Sequence, residues 1–288
     1  MIKKYSSILL LMSVLLMFGC NPQKDKKALS DQWITLFNGK DLKDWDIKIA
    51  GYPLNDNFGN TFRVEDSLLK VSYDQYGDSL KDRYGHIFYK DKFSAYLLVA
   101  EYRFYGHQVA DGPGWAYMNN GLMLHCQSPE SMLLKQDYPI SLECQLLGSD
   151  STMTRTNANV CTPGTEVVID GNRYHGHCYS SDSDPSPGRE WTHVEVLVLG
   201  DSVIKQIVNT DTVLTYTKPI IAGGSVNHYD STVKIDGTPL KEGYIALQSE
   251  SFPTEFRMVK LFNLEPYMDH PKKLKAVLEQ LSHRKKDS

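Results

Sequence analysis

Short runs of alternating apolar and polar residues, broken by Gly, Pro, Asn and Asp, recur along almost the whole chain. This period-two pattern restricts the fold to β architecture, because alternate residues of a strand share a face. Roughly a dozen such runs can be drawn. They include residues 33–37, 61–72, 85–90, 95–106, 120–127, 140–148, 191–200, 202–209, 212–220, 243–250 and 256–265. The run 61–72 reads as two short strands around an Asp-Ser turn. Strands do not alternate with helical segments, which argues against a parallel sheet and for a two-sheet antiparallel sandwich or jelly roll. Two irregular stretches interrupt the strands, 106–120 and 148–190; loops of that length in a compact domain are usually functional. After Pro266 the spacing of Leu274, Val277, Leu278 and Leu281 predicts a short amphipathic helix packed on the sandwich.

The N-terminus has a different character. A basic "MIKK" precedes an apolar run, Ser6–Phe18, too short to span a bilayer as a helix, which needs roughly 20 residues. The run ends in Gly19-Cys20, which reads as a lipoprotein signal with Cys20 as the lipidated residue. The boundaries that follow are a signal peptide over 1–19, a polar tether over 20–30, a sandwich over 31–267 and a helical tail over 268–288. The expected location is the bacterial cell envelope, with the chain lipid-anchored to a membrane and facing the periplasm or the outer surface. A net charge of −4 without a basic stripe excludes nucleic acid as an expected partner. Seventeen tyrosines and four tryptophans suit a sugar-binding β surface, although tyrosine is also a good strand residue. Besides Cys20 there are four cysteines. Cys126 and Cys144 fall on core-facing positions, where buried thiols and a bridge are equally consistent, and Cys161 and Cys178 flank a loop-rich segment that an exported protein could bridge.

Several stretches, in order, resemble one known family: "WITLFNGKDLKDW", "YPISLECQLLG", "NVCTPGT", and "EGYIALQSESFPTEFR" followed by "LFNLEP". Together they resemble the 3-keto-disaccharide hydrolase domain family over nearly all of residues 31–267. Met258 stands where the family often carries Asn. The resemblance implies a concanavalin-A-like sandwich with a short C-terminal helix, in which the concave face of one sheet forms a sugar cleft. It also implies an oligosaccharide or glycoside substrate already oxidised at C3 of a sugar ring.

The residues themselves offer a candidate site. In "PISLECQLLG", Leu142, Cys144 and Leu146 share the core face, so Glu143 and Gln145 share the other. The same alternation in "NGLMLHCQ" sets His125 and Gln127 opposite Leu124 and Cys126, and in "VAEYRFYG" it sets Glu101 and Arg103 opposite Tyr102 and Phe104. If these strands adjoin, one face gathers His, Glu, Gln and Arg, planar polar groups that match sugar hydroxyls. Conventional glycosidases need two carboxylates flanking the bond; Glu143 has Gln145 beside it and no second acid on its strand, leaving Glu101 or Glu255 as remote partners. A 3-keto sugar needs less. One base takes the acidified C2 proton, the enolate expels the C1 group, and water adds back. Either Glu143 or His125 is the expected base and the other the proton donor, with Arg103 or Arg257 steadying the oxyanion. Gln145, Gln127, Glu101, His86 and Trp115, the last as a stacking platform, complete the expected contacts. A divalent ion held by His86 or His125 would be a fitting cofactor. "RYHGHCYS" contains His175 and His177 at ligand spacing, but Cys178 points the other way from that pair. A two-carboxylate glycosidase and a non-catalytic carbohydrate-binding module are the alternative readings.

Overall fold

The computed structural model describes residues 32–77 and 79–283, so Cys20, the signal peptide and the tether lie outside the described residues. Along the chain the strands are β1 (Trp33–Thr35), β2 (Trp45–Ile49), β3 (Phe62–Glu65), β4 (Leu68–Val71), β5 (Gly85–Phe93), β6 (Ala95–Phe104), β7 (Asn119–Cys126), β8 (Leu142–Leu147) and β9 (Asn159–Cys161). There follow β10 (Thr165–Ile169), β11 (Asn172–Tyr174), β12 (Cys178–Tyr179), β13 (Thr192–Leu199), β14 (Val203–Val208), β15 (Asp211–Ile221), β16 (Gly243–Ser249), β17 (Thr254–Asn263) and one helix, α1 (Pro271–His283). The segment 148–190, expected to be irregular throughout, therefore contains four short strands. Their two to five residues are too few to register as periodic runs.

The strands form two sheets. One is ten-stranded, in the order β11-β10-β15-β14-β13-β6-β17-β4-β3, with β1 also pairing β17; the other is seven-stranded, in the order β12-β9-β8-β7-β16-β5-β2. All inter-strand ladders are antiparallel. The chain passes repeatedly from one sheet to the other; the passages from β5 to β6 and from β16 to β17 place β5 beside β16 in one layer and β6 beside β17 in the other. In the hairpin of β3 and β4, Glu65 pairs Leu68, and Asp66 and Ser67 both have positive φ (53° and 60°), as a two-residue primed turn requires.

Between the sheets lies one apolar core. It takes Ile47, Ile87, Ile245, Leu247, Leu122, Leu124, Leu142, Cys144 and Leu146 from the seven-stranded sheet, and Tyr96, Leu98, Tyr102, Val194 and Leu261 from the other. Many of the tyrosines are thus core residues, Tyr96, Tyr102 and Tyr216 being fully enclosed, and the tyrosine count alone did not mark a sugar surface. Cys126 and Cys144 are buried free thiols, while Cys161 and Cys178 form a disulfide between β9 and β12. The helix expected after Pro266 is α1. Val277 and Leu281 are buried, and Leu278 and Leu281 face Leu97, Leu197 and Ile207 of the ten-stranded sheet across a cavity of about 390 Å³.

At one end of the core Asn157 is fully buried. Its Nδ2 donates to Tyr102 Oη and Ser186 Oγ, each at 2.8 Å, and its Oδ1 accepts from the backbone N–H groups of Leu147 (2.9 Å) and Ala158 (2.7 Å). An Asn157→Ala variant leaves these groups buried without partners. Unsatisfied groups of this kind cost about 1–3 kcal/mol each, so a urea melt should show a loss of about 2 kcal/mol or more.

Candidate functional site

The core residues of the seven-stranded sheet fix what its outer face carries. With Ile87, Ile245, Leu247, Leu122, Cys144 and Val160 inside, the outer positions are Lys48 of β2, His86 and Phe88 of β5, Ala246 and Gln248 of β16, Gly121 and Met123 of β7, Glu143 and Gln145 of β8, and Asn159 and Cys161 of β9. Register aligns them in transverse rows. Lys48 faces His86 and His86 faces Gln248; further along, Gly121 faces Gln145 and Gln145 faces Asn159. The adjacent row runs Phe88, Ala246, Met123, Glu143, Cys161, Cys178. Gly121 is a gap in the polar row, and the Glu143 side chain lies across it. A Cβ built on Gly121 would meet Glu143 Oε1 at 2.6 Å.

This face is enclosed. The segment between β7 and β8 folds over it, placing Met132 against Phe88, Met123, Cys126 and Ala246. Lys48, on the face, donates from Nζ to the carbonyls of Tyr52 (2.9 Å) and Leu134 (3.1 Å), tying that segment to β2. Within the segment, Gln127 Oε1 accepts from Gln136 Nε2 and Ile140 N, both at 2.8 Å. Tyr138 then reaches across the face, its hydroxyl donating to Glu250 Oε1 at 3.0 Å and its ring edge-on to His86 with centroids 5.7 Å apart. Tyr84 stacks on Tyr138 (5.4 Å) and Trp115 lies against Tyr84 (6.1 Å). The exposed Trp115 thus ends an aromatic row that begins at His86. Beyond Tyr84 a cavity of about 560 Å³ opens, lined also by Ala50, Lys81, Lys135, Asp137 and His228.

The electrostatics of the face are unusual. Among the described residues, Glu143 Oε1, Glu250 Oε2, both ring nitrogens of His86 and both amide atoms of Gln248 are buried without a hydrogen-bond partner. Buried polar groups are rarely left so unless something else is to occupy the space. Burial raises the carboxyl of Glu143 well above the ordinary range, and the neighbouring Glu250 raises it further. Burial also pushes Glu250 up, to about 7, but the Tyr138 hydroxyl and the Arg155 guanidinium both favour its ionised form. Arg155 is held beside it by the carbonyls of Trp115 (3.2 Å), Tyr117, Met118 (3.3 Å) and Gly148 (3.4 Å). Of the pair, Glu250 gives up its proton first and Glu143 keeps its own. Burial holds His86 neutral, its pKa lowered to about 3, and raises Tyr138 far above its usual range, so its hydroxyl stays a donor.

Glu143 and Gln145 are therefore brought to one face as the alternation required, and His86 and, at the rim, Trp115 join them there. The other expected residues are not. His125 sits in a bulge, with φ at +50°, where the pairing of β7 with β16 loses register. The bulge turns its ring inward, to Tyr96 of the opposite sheet (6.4 Å) and the carbonyl of Gly200 (3.2 Å from Nε2). Glu143 and His125 are thus on opposite sides of the sheet, and they cannot act as a pair. Gln127 is the internal pin of the roofing segment. Glu101, Arg103 and Arg257 lie on the other sheet altogether, where Glu101 pairs with Arg257 and His193, and Arg103 with Glu255; this also removes Glu101 and Glu255 as second acids. Met258 is on that sheet too, away from the site. The missed residues are Glu250, Tyr138, Tyr84 and Arg155. Glu250 had a signal, since in "GYIALQSE" the inward Ile245 and Leu247 leave Ala246, Gln248 and Glu250 outward. Tyr138, Tyr84 and Arg155 lie in loops and had none. For metal ions, the one trio of His, Cys, Asp or Glu donors within 4.8 Å of one another among the described residues is Cys161, His177 and Cys178, not a set at the acid pair.

Fold and face together define an antiparallel two-sheet β sandwich with an enclosed polar face on its seven-stranded sheet. Residues 32–261 match the 3-keto-alpha-glucoside-1,2-lyase-like domain, and the chain belongs to that family. Among solved structures, a Parabacteroides distasonis ATCC 8503 protein provisionally assigned as a glycosyl hydrolase is similar, at 17% identity over 84% of this chain and 97% of that one, with a TM-score of 0.48. A Bacillus subtilis protein with a galectin-like fold aligns at 13% identity over 80% of this chain and 94% of its own (TM-score 0.46). Bacillus licheniformis beta-glucanase aligns at 11% over 80% and 97% (TM-score 0.43). No curated protein matches the chain in sequence.

Two outcomes follow from this geometry. Gly121→Ala drives a methyl group into the Glu143 side chain; overpacking of this kind costs about 1–3 kcal/mol, so a urea melt should show a loss of that order while circular dichroism keeps the parent's β spectrum. The raised acid pair also makes stability pH-dependent. In the unfolded chain the carboxyls ionise near 4.5; in the folded chain Glu250 is raised to about 7 and Glu143 well above the ordinary range. The folded state therefore binds more protons between these values, and stability, full below 4.5, is lost as the pH rises towards and past 7. Melts of the parent and of Glu250→Gln across this range should show the slope flattened in the variant.

Proposed function

We propose that the chain cleaves glycosidic bonds of 3-keto sugars by elimination and hydration at the Glu143–Glu250 face, as a lipid-anchored protein of the bacterial cell envelope. The single observation that carries this reading is the pair of buried carboxyls, Glu143 and Glu250, beside the unpartnered polar atoms of His86 and Gln248; burial raises Glu143 well above the ordinary range and Glu250 to about 7. Unequal partners divide acid from base.

In this reading the ionised Glu250 takes the C2 proton, which the neighbouring ketone acidifies. Charge develops on the C3 oxygen, where Gln248 Nε2–H and the neutral His86 imidazole are free to donate. Glu143 gives its proton to the glycosidic oxygen as the C1–O bond breaks, leaving a C1=C2 double bond conjugated with the ketone. Water then adds its oxygen to C1 and a proton returns to C2, so the net change is hydrolysis. The oxidised ring lies against the Glu143 carboxyl, which covers Gly121, and the leaving group extends along Tyr138, Tyr84 and Trp115 towards the 560 Å³ cavity. The roofing segment excludes bulk water, which strengthens every polar contact inside.

A second reading is favoured by the same pair, because two carboxyls are what a conventional glycosidase uses. Matched glucosides, one oxidised at C3 and one not, separate the two. Release of free sugar from the oxidised compound alone, with exchange of its C2 hydrogen for solvent deuterium, is the expected result. Cleavage of the unoxidised compound supports two-acid hydrolysis, and capture without turnover supports a binding module. Glu143→Gln and Glu250→Gln should each lower kcat by about 10²–10⁴, the usual worth of a general acid or base. Activity should rise as the pH passes about 7, where Glu250 ionises, and fall again where Glu143 loses its proton.

A further inference from the structure

The disulfide occupies a particular place on this face. Cys161 is directly across from Glu143 in the ladder of β8 and β9, and Cys178 is directly across from Cys161, so the bridge forms the edge of the row that carries the acid. A nitrogen of the His177 imidazole lies within 4.8 Å of both sulfur atoms. Two sulfurs and one imidazole nitrogen at this spacing form the donor set that soft divalent cations take.

The backbone around the three groups does not depend on the bridge. Thr162 N donates to the His177 carbonyl at 2.8 Å, and Thr162 Oγ1 donates to the carbonyls of Gly176 (2.9 Å) and His177 (3.1 Å). Tyr174 Oη donates to the Cys178 carbonyl at 2.5 Å, and Ser181 N donates to Asn159 Oδ1 at 2.9 Å. Gly176 permits the turn, since a Cβ there would meet Tyr174 Oη at 2.3 Å. These bonds hold β12 against β9 when the sulfurs part. Cys178 is exposed, so an external thiolate has access to the bridge.

We propose that Cys161, Cys178 and His177 form a thiol-gated site for a soft divalent cation of the zinc class, closed while the disulfide stands and opened by reduction. A dithiol reductant supplies two electrons and two protons, the S–S bond breaks to two thiols, and the reductant leaves as its own cyclic disulfide. The cation then displaces both thiol protons and is held by two thiolates and the imidazole nitrogen, with the fourth tetrahedral position left to water. This site is separate from the sugar chemistry, and its test does not use turnover.

The experiment uses the purified chain, oxidised or reduced with dithiothreitol and then desalted under argon, titrated with Co²⁺. The reduced chain should bind one Co²⁺ with thiolate-to-cobalt charge-transfer absorption, and the oxidised chain should show none. Loss of even an outer-shell partner costs a metal site 10–100-fold, so His177→Ala, which keeps both cysteines, should weaken binding by about tenfold or more. The double variant Cys161→Ser, Cys178→Ser keeps the buried Cys126 and Cys144 and should lose the absorption. Absorption of equal strength in that double variant, undiminished affinity in His177→Ala, or a silent reduced chain would each overturn the proposal.

Discussion

Two carboxyl groups share a water-poor space on one sheet face, and most of what surrounds them follows from that constraint. A carboxylate taken from water without a partner is so costly that the group keeps its proton instead. Glu143 does this, lying over the gap at Gly121 with one oxygen unpartnered. Glu250 is helped towards ionisation by the Tyr138 hydroxyl and by Arg155, whose guanidinium is anchored on backbone carbonyls rather than spent on a direct ion pair. The difference between the two acids comes from these neighbours and not from the strands that carry them.

The roof maintains the space. Lys48 is a cation buried on the same face, yet it neutralises neither acid. Its three donated bonds go to carbonyls of Ile49, Tyr52 and Leu134, and burial lowers its pKa. Gln127 similarly spends its side chain on the segment between β7 and β8. With that segment in place, His86 and Gln248 are sealed from solvent with their polar atoms still available. The aromatic row from His86 through Tyr138 and Tyr84 then ends at the exposed Trp115.

How much of this was legible in the sequence can be argued residue by residue. Alternation located the strands, and it sent Glu143 and Gln145 outward correctly because β8 keeps strict parity at those positions. The same rule failed at His125, where one residue with positive φ advances the chain by half a period and turns the ring into the core. It failed differently at Glu101 and Arg103. Their parity was right, but strand parity does not say which sheet a strand joins, and β6 belongs to the opposite layer. The outer face of that layer holds its own charged network, in which Trp191 lies between Arg103 and Arg257 (4.5 and 4.7 Å).

The sequence alone determined an all-β sandwich, a C-terminal amphipathic helix and the outward aim of Glu143, because these depend on side-chain period and short-range turns. The tertiary structure alone decided that Glu250 rather than His125 stands with Glu143, that Tyr138 and Arg155 set their charges, and that the bridge of Cys161 and Cys178 borders the acid row. Glu143 and Glu250 stand more than a hundred positions apart, Tyr138 and Arg155 come from loops without period, and Cys178 lies in a two-residue strand too short to show one. Only sheet order, register and the roof's path bring them within reach of one another.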